Sequence, residues 1–409
     1  MLRQTLTAAA VGILVLGLAP QADATSGHDD FRPITGSAYD QLTPDWTEPF
    51  VIPASCTQEL VSDESILDIY PSVDDLTDMN TVNETGRHAG RYLYRTHEVG
   101  SNGSLSVVDL KTGEANILVQ DAGYRRLDGL TWTPWGTLLF AEETAGGRLF
   151  EAFLDPKDPT VVTHVDARPE LGIMRHEGIG VAPDGSVNVI DELNGGSIYR
   201  FVPAHHGDLS DGQLYALKLT DLTDAEQAWD QATVGDKVGA FTWVALDMNT
   251  ATTDAKLAAD AVNATEFGRP EDVQIIGNVL YVATTSEDRV VAIDLRKKEL
   301  TSFVQAGVNV PVEDSAAKVT GFNSPDNLAK GPDEQLWIVE DNVPSDIWVA
   351  TRDEGKNGVA DGVKLFASLK DPGAEGSGIY FGKDERTLFV NVQHPAKPLA
   401  DGTWAITCS

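Results

Sequence analysis

The sequence predicts an all-β fold, a six-bladed β-propeller with short helical insertions. From Tyr92 onward, short β-type runs alternate with Gly, Asn and Asp turns, as in residues 137–140, 186–190 and 279–283. A block made of a polar or acidic start, a short strand, a turn and a stronger strand recurs along the chain. Two cysteines lie near opposite ends of the chain.

The recurring block defines the blades. Its copies occupy residues 127–143, 176–192, 270–282, 325–340 and, more loosely, 375–394. Their irregular spacing is typical of a propeller with inserted loops. With one more blade at about 92–119 the count is six, and five blades is the alternative. Residues 224–231 and 254–262 are predicted helices in the insertion between the middle repeats.

Three segments make up the predicted chain organisation. Residues 1–24 resemble a signal peptide, with Arg3, an apolar run at 8–18 and Ala22-Asp23-Ala24 at the cleavage point. A membrane-anchored N-terminus is the alternative. Residues 25–89 are turn-rich and predict an irregular wrap with one short strand at 50–52, and residues 90–409 form the propeller. We therefore expect a secreted or periplasmic protein.

The charge of the chain excludes some partners. With 63 acidic against 30 basic residues, the net charge is −33. Such a charge disfavours nucleic acid and anionic membrane surfaces, and we expect neither as a partner. Most of these acids keep the protein in solution, whereas a few are placed regularly enough to bind divalent cations.

The two cysteines predict a disulfide. Cys56 lies near the start of the exported chain and Cys408 is next to last. In an oxidising compartment such a pair forms a disulfide, which here would join the ends of a ring. Two free thiols are the alternative.

The blocks predict a ring of carboxylates. Three of them have acids fourteen residues apart, at Asp128 and Glu142, Glu177 and Asp191, and Asp326 and Glu340; Glu271 begins a fourth. A residue at the start of an innermost strand and one after the following hairpin can both lie at one mouth of the channel. Because crowded carboxylates repel one another, metal ions are the simplest resolution, and oxygen ligands suit Ca²⁺ or Mg²⁺.

Two further side chains are candidates for catalysis. Arg269 precedes Pro270, which predicts an extended backbone at Arg269 and a fixed direction for its side chain. The planar guanidinium can donate two hydrogen bonds to a phosphate or a carboxylate. A salt bridge to a neighbouring acid is the alternative. His176 is a candidate metal ligand or proton carrier, or else a packed residue of the channel.

Five motifs together resemble the PhoX-type alkaline phosphatase family. They are Thr133-Pro134-Trp135-Gly136-Thr137 followed by Glu142-Glu143, Arg175-His176-Glu177-Gly178, Arg269-Pro270-Glu271-Asp272, Ser324-Pro325-Asp326-Asn327-Leu328, and the segment 388–395. The resemblance covers about residues 90–400 in the family's order.

The resemblance implies a secreted six-bladed propeller that hydrolyses phosphate monoesters with a cluster of Ca²⁺ and Fe³⁺. By motif, Glu143, Glu177 and Glu271 would be metal ligands, Arg269 would bind phosphate, and Asp326 would lie near calcium. The family has an iron-ligating Cys five residues before Thr133, where this chain has Asp128, a hard oxygen ligand.

The leading functional hypothesis is metal-assisted hydrolysis of a small phosphorylated substrate by a monomer. Clustered metals would polarise the phosphoryl oxygens, and Arg269 would hold a non-bridging oxygen. Two alternatives remain open, a calcium-dependent lactonase or organophosphate hydrolase and a non-catalytic calcium-stabilised binding module.

Overall fold

A computed structural model describes residues 31–409, and the predicted signal peptide lies outside these residues. The described chain is nearly all β. Its first strands are β1 and β2, and the first blade follows as β3 to β6: Phe50–Val51, Cys56–Asp63, Thr77–Val82, Tyr92–His97, Ser104–Asp109 and Glu114–Gln120. The second blade is β7 to β10: Leu127–Trp132, Thr137–Glu142, Leu149–Asp155 and Asp158–Ala167.

The third and fourth blades share one sheet. Strands β11 to β15 are Ile179–Val181, Val187–Ile190, Asn194–Gly196, Ile198–His205 and Asp208–Leu219. Strands β16 to β21 are Gly239–Ala245, Phe267–Gly268, Pro270–Ile276, Val279–Thr284, Arg289–Asp294 and Glu299–Gln305. Strand β16 pairs with the outer strands β15 and β21 of both blades, and β13 pairs separately with β17.

The last two blades complete the ring. Strands β22 to β25 are Pro325–Lys330, Leu336–Glu340, Asp346–Ala350 and Val363–Leu369, with β1 added at the outer edge. Strands β26 to β28 are Glu375–Phe381, Thr387–Gln393 and Gly402–Cys408, and β2 is the fourth strand of this sheet. The predicted six-bladed propeller is confirmed.

Two of the three short α-helices in the described chain lie in the predicted ranges 224–231 and 254–262, and the helix at Met248–Ala251 was not predicted. α1, α2 and α3 are Asp224–Gln227, Met248–Ala251 and Ala255–Asp260, all in the insertion between the third and fourth blades. Asp254 caps α3, because its Oδ1 accepts the backbone N–H of Leu257 at 2.8 Å. Short 3₁₀ helices lie at Tyr39–Gln41, Pro169–Leu171, Gln231–Asp236, Thr285–Glu287 and Pro332–Glu334. Within residues 31–409, no helix has both the length and the apolar character needed to cross a bilayer.

Residues 25–89 contain more of the propeller than the sequence predicted. Besides β1, this range holds β2 and β3, so the first blade begins at Thr77 rather than near Tyr92. The six residues of β3 are all buried, yet three of the first four are Thr77, Asp78 and Asn80. An innermost strand surrounded by polar groups has no alternation of polar and apolar residues, which is why the pattern hid it.

The sixth blade joins the two ends of the chain. Strand β2 pairs antiparallel with β28 from Cys56↔Cys408 to Asp63↔Gly402, and the two cysteines form a disulfide. The predicted disulfide is therefore confirmed. Closure of this sheet fixes the innermost strands of the first and sixth blades side by side.

The innermost strands pack tightly around the axis. A Cβ on Gly129 would lie 1.8 Å from the carbonyl oxygen of Glu177, and one on Gly178 would lie 2.5 Å from the Cα of Asp272. Glycine is required at both positions because neighbouring blades approach so closely. In each case the residue before the glycine is an acid, Asp128 or Glu177.

Closure predicts a stability cost for removal of the disulfide. Cys56→Ala/Cys408→Ala should lower the free energy of unfolding by about 2–5 kcal/mol, because the open chain gains conformational freedom. Denaturant unfolding of the oxidised protein and of the double variant measures this difference. Equal stability of the two would mean that sheet pairing alone closes the ring.

Candidate functional site

All six blades contribute to a polar cavity at one end of the central channel. The second residue of each innermost strand, or its counterpart in the third and sixth blades, lines this cavity: Asp78, Asp128, Glu177, Glu271, Asp326 and Ser377. Five of the six are acids. We call these six residues the inner ring.

A second set of acids lies just outside the inner ring. Glu98, Glu143, Glu192 and Asp341 follow the second strand of their blades and line the same cavity. A backbone bond fixes each of them, because its N–H donates to a carbonyl of the segment that enters the innermost strand. The acceptors are Leu76, Arg126, Arg175 and Ser324, at 2.9, 2.8, 2.9 and 3.0 Å in the same order. We call these four acids the outer ring.

The fourteen-residue spacing leads to different positions from those expected. Glu142, Asp191 and Glu340 do not line the cavity; the acid after each of them does. Side chains alternate along a strand, so adjacent residues point in opposite directions. Each of the three instead accepts a backbone N–H from the segment entering its own blade's innermost strand, from Arg125 at 3.1 Å, Arg175 at 3.3 Å and Asn323 at 2.8 Å.

Glu340 therefore has a structural position. Its side chain is fully buried, and its Oε1 accepts the backbone N–H of Asn323. Asp346 is the charged residue with the largest effect on its pKa. Burial raises the pKa of Glu340 well above its ordinary value. Glu340 therefore lies outside the cavity, and its Oε2 is buried without a hydrogen-bond partner among the described residues.

His176 is also outside the cavity. The ring is fully buried, and its Nε2 donates to the carbonyl of Gly172 at 3.0 Å. Burial lowers the pKa of His176 to about 4, which keeps the ring neutral. Of the interpretations open for this residue, packing beside the channel fits its surroundings.

Arg269 does reach the cavity, through a backbone that differs from the extended form expected before proline. Its φ is +47°, and Arg126, Leu76 and Ser324 share this left-handed conformation at the same place in their blades. The backbone N–H of Arg269 donates to the carbonyl oxygen of Leu193 at 3.0 Å. The turned backbone presents the Arg269 carbonyl to the end of the second strand, where it accepts the N–H of Thr285 at 3.0 Å.

Three arginines alternate with acids along one side of the cavity. They precede the inner-ring acids of the second, third and fourth blades by two residues: Arg126, Arg175 and Arg269. Their side chains are 44%, 33% and 38% exposed, whereas their acidic partners are at most 10% exposed. We call these three residues the arginine arc.

Continuous ion pairs connect the arginine arc. Arg126 pairs with Glu98 and, at 2.9 Å, with Glu143. Arg175 pairs with Glu143, its Nε lying 3.1 Å from the carboxylate, and with Glu192. Arg269 pairs with Glu192 at 3.0 Å and with the inner-ring Glu271 at 2.8 Å.

Three carboxylates of the inner ring converge. Glu177, Glu271 and Asp326 each offer one oxygen, and these oxygens lie within 4.8 Å of one another. Nearby, Oδ1 of Asp128 is buried and accepts no hydrogen bond from the described residues. Carboxylate oxygens are ligands that hard cations such as Ca²⁺ prefer. The donor set therefore fits Ca²⁺, and no sulfur is available because both cysteines are paired.

Burial and mutual repulsion disfavour ionised carboxylates here. Burial first, and neighbouring acids second, raise the pKa values of Asp128, Glu177 and Asp326 well above the ordinary range. Glu143 is different. Burial acts to raise its pKa, but hydrogen bonds from Glu98 and Glu192 and the charges of Arg175 and Arg126 lower it to about 2.

The fold and the site together define a class of protein, a six-bladed propeller with a carboxylate cluster and an arginine arc at its channel mouth. The chain belongs to the alkaline phosphatase PhoX family, whose profile matches residues 128–396. Among solved structures, it is similar to Pseudomonas fluorescens PhoX in complex with vanadate, a transition-state analogue. The two share 16% identity over 93% of this chain and 97% of that one, with a TM-score of 0.65.

A second solved structure shares the architecture. It is a putative gluconolactonase, 13% identical over 88% of this chain and 94% of that one, with a TM-score of 0.50. At these identities both likenesses concern the fold alone. A search of curated proteins finds no match.

The structure brings together most of the predicted site residues and adds others. Asp128, Glu143, Glu177, Glu271, Asp326 and Arg269 all line the cavity. The sequence interpretation missed Asp78, Glu98, Glu192, Asp341, Glu375, Arg126 and Arg175. A signal for some of them exists, because paired acids end three second strands and an arginine precedes three inner-ring acids by two residues.

The raised pKa values predict how stability depends on pH without metal. In the folded protein burial raises the pKa of Glu192 and of Glu375 to about 9, against about 4 in the unfolded chain. The folded state then binds more protons, so the stability of chelator-treated protein should fall as the pH rises from about 5 to about 9.

Thermal unfolding at pH 5.5 and pH 8.5 in chelator measures this fall, and saturating Ca²⁺ should remove much of it. Glu177→Gln lacks one of the repelling charges and should show a shallower fall. A melting temperature that is equal at both pH values in chelator would contradict the prediction.

Proposed function

We propose that this protein is a secreted, metal-dependent phosphatase that hydrolyses small phosphate monoesters at the channel mouth. The observation that carries the proposal is the arginine arc beside the carboxylate cluster. A site of acids alone binds cations, whereas one with half-exposed arginines on one side also attracts an anion. Membership of the PhoX family and a fold similar to a vanadate-bound phosphatase support the same activity.

The inner ring supplies the proposed metal ligands. Glu177, Glu271 and Asp326 would hold Ca²⁺, with Asp128 and Glu143 as further ligands and Fe³⁺ as a second metal. When bound, the metals would supply Lewis-acid polarisation of the phosphoryl oxygens and a hydroxide-like nucleophile. Asp128 takes the place of the family's thiolate, so any iron bound here would have only oxygen ligands from this part of the chain.

Arg269 is the proposed phosphate-binding residue. Its guanidinium lies between Glu192 and Glu271, which fix its direction. Burial acts to lower its pKa, but the charges of Glu271 and Glu192 raise it, so the side chain stays positive. A guanidinium has five N–H donors, and its fork matches two phosphate oxygens. Held in this way, Arg269 would stabilise the charge that grows on the phosphoryl group.

The arginine arc also favours a phosphatase over the alternatives. A lactone is uncharged, so a lactonase gains nothing from three cationic side chains at the entrance. A non-catalytic calcium module needs the inner ring but not the arc. We further propose that the protein acts as a monomer, with neither nucleic acid nor a membrane as a partner, in keeping with its net charge of −33.

Metal loading is the first test. Protein stripped by chelator and reloaded with Ca²⁺, with or without Fe³⁺, should hydrolyse p-nitrophenyl phosphate at alkaline pH. Elemental analysis should find calcium in the active preparation, and iron where it contributes. Glu177→Gln should bind less metal and lose activity, whereas Glu340→Gln should keep both, because the Glu340 side chain does not line the cavity and the amide oxygen can still accept the N–H of Asn323. Absence of hydrolysis under every metal loading, or turnover of a lactone but not of a phosphate monoester, would overturn the proposal.

Arg269 is tested by matched substitutions. Arg269→Ala should lower kcat/KM for p-nitrophenyl phosphate by about 10²–10³-fold, as expected for loss of one preorganised donor to the transition state. Arg269→Lys keeps the charge without the fork and should recover part of this loss. The metal content of both variants should equal that of the wild type. Unchanged kcat/KM in Arg269→Ala would contradict the proposed role.

A further inference from the structure

A second group of carboxylates lies away from the channel, where the ring closes. Glu64 directly follows β2, Asp401 directly precedes β28, and Asp74 lies in the segment between β2 and β3. One oxygen of each lies within 4.8 Å of the others. None of the three lines the channel-mouth cavity. We call them the closure cluster.

Backbone N–H groups fix the closure cluster through one oxygen of each carboxylate. Oε1 of Glu64 accepts the N–H of Asp75 at 2.8 Å, and Oδ1 of Asp74 accepts that of Leu399 at 2.8 Å. Oδ1 of Asp401 accepts the N–H of His394 at 3.1 Å. The cluster therefore connects the chain before the first blade to the loop between β27 and β28.

The other oxygens of the two most buried members have no donor outside the cluster. Glu64 is 7% exposed and Asp401 is 1% exposed. No group outside the cluster in residues 31–409 donates to Oε2 of Glu64 or to Oδ2 of Asp401; both atoms are buried, and the two carboxyl groups lie within hydrogen-bonding reach of each other. A buried carboxylate oxygen without a partner costs about 1–3 kcal/mol or more, so a compensating group is expected.

The charges with the largest effect on Glu64 and Asp401 are negative. The acids that act on Glu64 include Asp75 and Asp74, and those that act on Asp401 are Glu64 and Asp74. The basic groups His394 and Arg95 act on Asp74 and Asp75. Neither basic side chain donates a hydrogen bond to the cluster carboxylates, so a shared proton or a bound cation is the compensation to consider. A shared proton would join Glu64 to Asp401 but would leave Asp74 unexplained, although its carboxylate converges on the same point.

We propose that the closure cluster is a calcium site, separate from the channel, that clamps the ends of the ring. Calcium accepts six to eight oxygens in irregular arrangements, so three carboxylates with water or carbonyl oxygens can complete its shell. Magnesium requires a near-ideal octahedron, which three carboxylates each fixed through one oxygen to the backbone do not favour. The bound ion would join β2 to β28 at the end of their pairing opposite the disulfide, since Glu64 follows Asp63 and Asp401 precedes Gly402.

Calcium bound at the closure cluster would also restrict the motion of a loop at the edge of the channel mouth. His394, whose N–H is bound by Asp401, lines the channel-mouth cavity. The loop from 394 to 401 therefore runs from the cavity to the closure cluster. Calcium at the cluster would fix this loop at its far end without touching the substrate.

Asp401→Asn tests the site, because the amide oxygen can still accept the N–H of His394. The variant should bind one Ca²⁺ fewer than the wild type and should lose several degrees of the Ca²⁺-dependent rise in melting temperature. Glu64→Gln, which keeps an acceptor for Asp75, should give the same result and serves if Asp401→Asn does not fold.

Asp371→Asn is the matched control. Asp371 is equally buried and holds the same loop, but backbone N–H groups of Gly373 at 3.0 Å and Ala396 at 2.9 Å occupy its two oxygens. This variant should lower the melting temperature equally with and without Ca²⁺, and its calcium content should not change. A structural role of Asp401 alone would make the two variants behave alike.

A double variant of the channel site distinguishes calcium bound there from calcium bound at the closure cluster. In Glu177→Gln/Glu271→Gln, which weakens channel binding, one Ca²⁺ and its stabilising effect should remain, and adding Asp401→Asn should remove both. The proposal does not depend on the phosphatase activity, since the readouts are calcium content and melting temperature. It is overturned if Asp401→Asn keeps the wild-type calcium content, or if it raises the melting temperature in chelator without altering the response to Ca²⁺. The latter result would mean a shared proton.

Discussion

The carboxylates at the channel mouth repel one another, and the rest of the propeller must hold them together despite this repulsion. Two unit charges 4.8 Å apart repel with about 3 kcal/mol at an effective dielectric constant of about 20. Partly exposed ion pairs such as those of the arginine arc contribute about 0–1 kcal/mol each. The arc therefore cannot offset several such repulsions, and protons or cations must. This imbalance means that the inner ring must take up protons or cations, because its carboxylates do not form a closed set of salt bridges.

The backbone holds the acids in place despite this repulsion. Each outer-ring N–H is bound to the segment entering its blade, and that segment is left-handed at Leu76, Arg126 and Ser324. Left-handed residues other than glycine are unfavourable, so the surrounding bonds must determine them. The acids one position earlier, Glu142 and Glu340 among them, hold the same segments from the other side. Fourteen and fifteen residues after the inner ring, two adjacent acids thus have separate tasks, one structural and one facing the cavity.

This division explains how far the sequence could predict the site. Repeated blocks were enough for the fold class and the grouping of Asp128, Glu177, Glu271 and Asp326, and the positions of the two cysteines were enough for the disulfide. They were not enough to choose between adjacent acids, because an error of one residue exchanges the two faces of a strand. Asp78 was missed for a different reason, since β3 is buried among polar groups and lacks a hydrophobic pattern. The closed ring creates that environment, and no local window of sequence contains it.

The charge around the rim of the cavity is unequally distributed, and this would orient a bound anionic substrate. Arginines precede the inner ring only in the second, third and fourth blades, whereas Leu76, Ser324 and Glu375 stand at that position in the other three. An anion approaching the cavity therefore meets positive charge on one half of the rim and a carboxylate on the other. With cations in the inner ring, the phosphoryl group of a substrate would lie between those cations and Arg269. Its leaving group would then point toward the half without arginines, where Asp341, Ser377, Gln393 and His394 line the cavity and offer hydrogen-bonding groups.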